Sequence, residues 1–167
     1  YAGEVTMCDR WFGTLMDTMD RLGLTDNSIV VLVSDHGHCI GERGLVSKQG
    51  HPMSREIADL VLMVRAPRLR PHRTDAIVTS HDIPVTLLKL VGVQAPESMS
   101  GLDFSPVLRR ETDKHRHHST TAWGPFVMVR QGRWWYNAFL GQEAERLYDV
   151  KADPQLKKNV AADHPKI

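Results

Sequence analysis

Apolar residues recur at helical spacing from the first turn of the chain. Val5, Cys8, Phe12, Leu15, Met16, Met19 and Leu22 share one stripe, which predicts an amphipathic helix over 3–22. Gly23 is its natural stop. After the polar turn Asp26-Asn27-Ser28 comes an unbroken aliphatic run, Ile29 to Val33. Apolar character on both faces predicts a central parallel strand covered by helices. Ser34-Asp35-His36-Gly37 follows at once. It stands at the carboxyl end of that strand, the edge where open α/β sheets bind ligands.

Residues 37–56 are rich in glycine and charge and read as a functional loop. Leu60 to Val64 predicts a second buried strand, ended by Pro67. Residues 68–75, with Arg68, Arg70, Pro71 and Arg73, form a solvated connection, and Ala76-Ile77-Val78 a short strand. Ser80 or Asp82 can cap a helix with Pro84 in its first turn, running through Leu87, Leu88 and Leu90 to Gly92. Residues 1–108 therefore alternate helix and strand, the signature of an α/β layer fold. Residues 109–121 read as a polar linker. Phe126 to Arg130, the Gln131-Gly132 turn and Arg133 to Phe139 predict a hairpin, with a third strand near Arg146 to Asp149. Residues 122–167 are thus expected to form a small antiparallel appendage.

Composition narrows this only a little. The 167 residues carry 21 Lys and Arg against 20 Asp and Glu, a formal charge of +1. That balance gives no reason to expect nucleic acid or an anionic membrane as partner. No apolar run approaches the roughly 20 residues that span a bilayer. The helical pattern begins at Tyr1, with no leader and no initiator Met. The expectation is a cut inside a longer polypeptide, which leaves the compartment open. Cys8 and Cys39 are too few for a disulfide framework, and a bridge between them stays open.

Candidate chemistry gathers after the first strand. Asp35 and His36 can bind a divalent cation, and Gly37 lets the backbone turn away. The plainer reading of a bare Asp-His-Gly is a turn cap and a packed histidine. Lys48 is a point charge suited to a sulfate or phosphate oxygen. Alone, it reads as a surface lysine. His51 can serve as acid or base near neutral pH, with an exposed loop histidine as the equal alternative. Glu42, Arg43, Arg55 and Glu56 read as surface pairs. His115, His117 and His118 resemble a metal tract in composition only, and a solvated linker is preferred. Trp123, Trp134, Trp135 and Tyr136 are better explained by packing of the appendage than by ligand stacking.

The succession of these pieces resembles the sulfatases of the alkaline phosphatase superfamily. NSIVVLVSDHGHCIGERGLVSK, residues 27–48, looks like that family's buried strand, Asp-His-Gly element, Gly-Glu-x-Gly-Leu turn and catalytic lysine. LVLMVRAPR looks like its second strand. SHDIPVTLLKLVGVQAPESMSGLDFSPVL looks like its Asp-x-x-Pro-Thr-Leu-Leu helix and the loop beyond. RLYDVKADPQLKKNVA looks like its closing segment. The pieces cover nearly the whole chain, in order.

The resemblance implies an α/β fold, an alkaline-phosphatase-like three-layer sandwich fragment with a small C-terminal antiparallel α+β subdomain. It implies a parent enzyme that hydrolyses sulfate esters of small molecules or sugars, through a formylglycine on an upstream segment of the same polypeptide. Asp35 and His36 would be two ligands of a divalent cation, calcium first, with manganese and zinc as alternatives. Lys48 would hold a sulfate oxygen, and His51 is carried as a catalytic candidate. His36 stands where many members carry Asn, which looks more like the branch containing phosphonate monoester hydrolases and choline-sulfatase-like enzymes. Cys39-Ile40-Gly41-Glu42-Arg43 has the cysteine-to-arginine spacing of the nucleophile motif. Gly41 replaces its proline and the element is wrong, so it is rejected. The 167 residues alone are expected to be inactive, and self-association is left open. Two rivals remain. One is a phosphonate or phosphodiester hydrolase or phosphoethanolamine transferase of the same superfamily. The other is a non-catalytic binding module.

Overall fold

The computed structural model describes residues 1–48, 53–142 and 145–167. They divide into two compact units, each taken by itself.

The first unit comprises Tyr1–Ser34 and Val61–His72. Helix α1 spans Ala2–Arg21. It ends as its sequence predicts. Gly23 takes φ +67°, the Leu24 N–H reaches the Met19 carbonyl at 2.9 Å and the Gly23 N–H reaches Asp20 at 3.0 Å. These two bonds form a Schellman cap, which a residue with a Cβ adopts only under strain. Strand β1 covers Val30–Val33, and β4, later in the chain, covers Leu62–Arg65. They pair antiparallel, Val30 opposite Arg65 and Val33 opposite Leu62. The expected parallel pairing is therefore corrected at this edge. A continuous apolar run reports burial, not strand direction; direction depends on how the intervening chain returns. Neither strand is buried: Leu32, Val33 and Met63 are exposed. Phe12 and Met16 of α1 line an apolar groove with Val30, Leu32, Met63, Val64 and the Arg65 stem.

The second unit comprises Asp35–Leu60 and Arg73–Ile167. Two short strands, β2 (Cys39–Ile40) and β3 (Val46–Ser47), pair antiparallel. Helix α2 spans Arg55–Ala58, α3 Asp82–Leu90 and α4 Ser105–Leu108. Residue His81 occupies the cap position of α3, instead of Ser80 or Asp82. Asp82 sits one place inside and turns its carboxylate back to the Thr79 N–H at 3.0 Å. Gly92 ends α3 with a second Schellman cap, the Val93 N–H meeting the Leu88 carbonyl at 2.8 Å. The expected strand at Ala76–Val78 is a single bridge, Ile77 opposite Arg116.

A four-stranded antiparallel sheet closes this unit, in the order β5 (His118–Trp123), β6 (Phe126–Gln131), β7 (Trp134–Phe139), β8 (Arg146–Asp149). The hairpin and the strand at Arg146 lie where the pattern predicts. Strand β5 begins within the polar stretch 109–121, because histidine, serine and threonine satisfy a sheet edge as well as a loop. Its outer positions are solvated, so no apolar alternation announces it. The core contains Cys39, Met53, Ile57, Met128, Trp135, Tyr148 and Leu156. Two residues of β7 clamp the backbone of one residue, Met53. Trp135 Nε1–H donates to the Met53 carbonyl and Asn137 Oδ1 accepts from the Met53 N–H, both at 2.9 Å. Trp135 and Asn137 are two apart, so the pleat aims both at one face.

Candidate functional site

Immediately after β1 the chain makes the Asp35-His36-Gly37 turn. The Gly37 N–H donates to the Ile57 carbonyl at 2.9 Å. A Cβ on Gly37 would lie 1.7 Å from the Glu56 carbonyl oxygen. Only glycine allows the turn to seat this tightly on α2. Asp35 accepts the His36 backbone N–H at 2.8 Å. That bond above all holds its carboxyl below the ordinary aspartate range, with help from the charges of His36 and Lys48. The Asp35 side chain is 86% exposed, so its oxygens are available to a ligand.

His36 is oriented by three neighbours. Its Nδ1 lies 2.9 Å from the Gly37 carbonyl, which can only accept, so Nδ1 carries the proton. Its Nε2 lies 3.1 Å from the Lys48 ammonium, which can only donate. The Nε2 lone pair therefore faces Lys48, and Asp35 Oδ2 lies 3.4 Å from the same nitrogen. An Nδ1–H bonded to a backbone carbonyl is the arrangement that prepares Nε2 as a metal ligand. A carboxylate, an imidazole lone pair and an ammonium thus meet at one exposed point. The donor set fits a divalent cation with oxygen and nitrogen ligands. Among the described residues no group of three or more His, Cys, Asp or Glu side chains gathers that could hold a metal, and the donors that meet at this point are those of Asp35 and His36.

The loop that carries Lys48 is pinned at its other end. Arg43, at φ +55°, pairs with Glu56 at 2.8 Å. Burial pushes the Glu56 carboxyl up, but its own N–H, the Ser54 hydroxyl and Arg43 together hold it below the usual glutamate range. Arg55 pairs with Asp59 at 2.8 Å. Glu42 accepts the Ile40 N–H at 2.6 Å. The expected surface pairing holds for Arg43, Arg55 and Glu56, with partners that sequence spacing did not specify, while Glu42 serves a backbone N–H. Cys39 is buried beside the Ser54 hydroxyl, at 3.8 Å. Both cysteines are free. His51 lies outside the described residues.

Within the histidine tract, His117 and His118 are exposed as a solvated linker would have them, but His115 and its neighbour Arg116 turn inward. Asp82 is fully buried, and its carboxylate accepts from Arg116 Nε at 2.7 Å, from the Leu102 N–H at 2.7 Å and lies 3.2 Å from His115 Nε2. Burial pushes the Asp82 carboxyl up, but Arg116 and the two backbone N–H donors overcome it and drive it far below the ordinary value. His115 also packs edge-on against Phe104 at 5.9 Å. Sequence reading missed this node and the Trp135–Asn137 clamp. A carboxylate on a helix whose hydrophobic stripe faces the core was the available signal for the node.

Residues 1–93 match the family model described as Sulfatase. That is more than half of the chain, and the chain belongs to the sulfatase family. It is 28% identical over 168 residues to the choline-sulfatase of Rhizobium meliloti (strain 1021), covering 96% of this chain and 32% of that protein. A protein solved in complex with its substrate D-glucosamine-2-N,6-O-disulfate superposes with a TM-score of 0.86 at 27% identity, over 97% of this chain and 36% of that one. A phosphonate monoester hydrolase from Silicibacter pomeroyi shares the fold, with a TM-score of 0.82 at 24% identity over 94% of this chain and 35% of that one. The architecture is the mixed α/β arrangement of the alkaline phosphatase superfamily. The chain spans about a third of the length of the curated relatives it matches. The sulfatase family is generally metal-dependent. Among the described residues no helix is long and apolar enough to cross a membrane.

Proposed function

We propose that this chain forms part of an enzyme that hydrolyses sulfate monoesters, and that Asp35, His36 and Lys48 are its contribution to the active site. The approach of Lys48 Nζ to His36 Nε2, at 3.1 Å, carries the reading. A positively charged group and a cation-binding group converge there on solvent, which suits the anionic oxygens of a sulfate ester. Asp35 and His36 would hold a divalent cation, which supplies positive charge for the ester oxygens. Calcium is the family expectation, and the imidazole nitrogen favours manganese or zinc. Lys48 binds an ester oxygen and stabilises the charge that grows as the S–O bond breaks. The Gly37 carbonyl fixes the His36 ring. The Arg43–Glu56 pair anchors the loop that carries Lys48. His51 is the candidate proton donor to the leaving oxygen. No residue here supplies the family's nucleophile motif. By the resemblance it is a formylglycine elsewhere in the polypeptide, so the isolated 167 residues would not turn over. A sulfated sugar, as held by the structural relative, or another small sulfate ester is the substrate class.

A second reading rests on His36. Histidine at that place resembles the phosphonate monoester hydrolase branch, so the same groups would cleave a phosphonate ester. One pair of assays on the polypeptide containing this chain separates the readings. Sulfate release from 4-nitrophenyl sulfate is expected, and Lys48→Ala should lower kcat/KM by at least about a hundredfold. Faster release from 4-nitrophenyl phenylphosphonate would favour the second reading. A protein that cleaves neither ester, and whose titration calorimetry shows no calcium, manganese or zinc binding, would be a binding module instead.

A further inference from the structure

The near-neutral charge of the chain conceals a local excess. Arg65, Arg68, Arg70 and His72 fall within eight residues, with Asp59 and Asp75 the nearest acidic residues in sequence. Of the 21 Lys and Arg, three lie here, so the rest of the chain sets 18 cations against 20 Asp and Glu. All four side chains are exposed. Six arginines elsewhere, Arg43, Arg55, Arg109, Arg116, Arg130 and Arg133, each hold a carboxylate. Among the described residues no carboxylate comes within 4.0 Å of Arg65, Arg68 or Arg70.

The backbone beneath them is stiff. Pro67 and Pro71 fix φ at two positions. The Leu69 N–H closes a turn on the Ala66 carbonyl at 3.2 Å, with Arg68 at φ +68°. Ala66 and Leu69 are half-buried and anchor the turn between exposed arginines. The rigid turn spares the backbone part of the ordering cost at Arg68 and Arg70, and Arg65 at the end of β4 is steadied by the Thr25 carbonyl at 3.4 Å. Each guanidinium fork matches the oxygens of a sulfate or phosphate group in pairs. Several such forks in succession fit several anionic groups in succession. That is a polymer, not one small ester.

We propose that Arg65, Arg68 and Arg70, flanked by His72, form a docking strip for a sulfated polysaccharide. The choice of polymer rests on the sulfatase reading; the strip itself does not. Nucleic acid fits less well. No Phe, Tyr or Trp lies between residues 65 and 72 to stack on a base, and a pI near 8.0 is below that of typical nucleic-acid-binding domains.

Binding of the polypeptide containing this chain to dextran sulfate, unsulfated dextran and a double-stranded DNA tests the strip. Dextran sulfate should bind, weaken steeply with salt and outcompete DNA, while plain dextran should not bind. Arg68→Ala with Arg70→Ala should weaken dextran sulfate binding roughly tenfold and flatten the log–log salt slope by roughly two. Arg68→Lys with Arg70→Lys keeps the charge and loses the fork, so it should fall between. Both pairs of changes are at exposed positions, and thermal melting confirms that each variant is folded. Unchanged affinity in the alanine variant, or DNA binding as tight as dextran sulfate, overturns the proposal. Hydrolysis of 4-nitrophenyl sulfate is read separately: if it is absent while arginine-dependent dextran sulfate binding persists, the sulfatase reading fails and the strip stands.

Discussion

Asp82 shows how much one side chain can decide. It lies in the first turn of α3, fully buried, and collects the nearby Thr79 N–H together with the Leu102 N–H, His115 and Arg116 from farther along the chain. Its carboxyl is held below the ordinary value of 3.8 in the folded state. A depressed carboxylate contributes stability that is fully present above the unfolded pKa and is lost as pH falls toward the folded one. Asp82→Asn removes the charge but leaves Arg116 without its partner. The variant should lose on the order of 3 kcal/mol at neutral pH. Its deficit relative to the parent should then shrink as pH drops below about 4. Urea unfolding at neutral pH and near pH 3 measures both; a deficit that stays constant over that range would show that Asp82 is not the charged partner. Gly37 is the complementary case at the same scale. There it is a missing Cβ that lets the Asp35-His36 turn lie against the Glu56 carbonyl.

Among the elements, β7 does the most for the site. Its Trp135 and Asn137 side chains hold both backbone groups of Met53, in the segment between the Lys48 loop and α2. Trp135→Phe keeps most of the apolar area and removes one donor. The buried Met53 carbonyl then lacks that bond, a loss of about 1–3 kcal/mol. Chemical denaturation should report that loss with little change in the denaturant slope. A variant as stable as the parent would mean that water or another donor replaces the indole. The alternation along β6 and β7 announces the strands, and Gly132 their turn. The periodicity of α1 and α3 announces the helices, and Gly23 and Gly92 their ends. What the pattern does not carry is the partner of each face. That is why β5 goes unannounced within 109–121, and why β1 and β4 are antiparallel instead of parallel.

At the scale of the whole molecule the two units differ in kind. The unit of Asp35–Leu60 and Arg73–Ile167 holds every buried apolar side chain among the described residues. The unit of Tyr1–Ser34 and Val61–His72 holds none, and Val5, Met7, Trp11, Leu15 and Met63 are exposed. An assembly of that size without a core has little to offset its conformational entropy. In the 167-residue chain, amide hydrogen exchange should therefore be faster in α1, β1 and β4 than in β6, β7 and β8, by at least about tenfold. Equal protection in the two units would show that something covers the apolar groove of Phe12, Met16, Val30 and Met63. The exposed face is also the reason to look for self-association in concentration-dependent light scattering.

The sequence by itself determined the helices α1 and α3 and where they stop, and the strands β1, β4, β6, β7 and β8. Its likeness to the sulfatase motifs named Asp35, His36 and Lys48 as candidates, while periodicity, glycine geometry and residue chemistry, being local properties, announced the elements around them. Tertiary structure alone decided that the Lys48 ammonium faces His36 Nε2, that Arg43 chooses Glu56, and that His115 and Arg116 close on Asp82. Those outcomes depend on which distant groups meet and on what burial costs a charge left alone, and neither quantity is written in the spacing of residues along a chain.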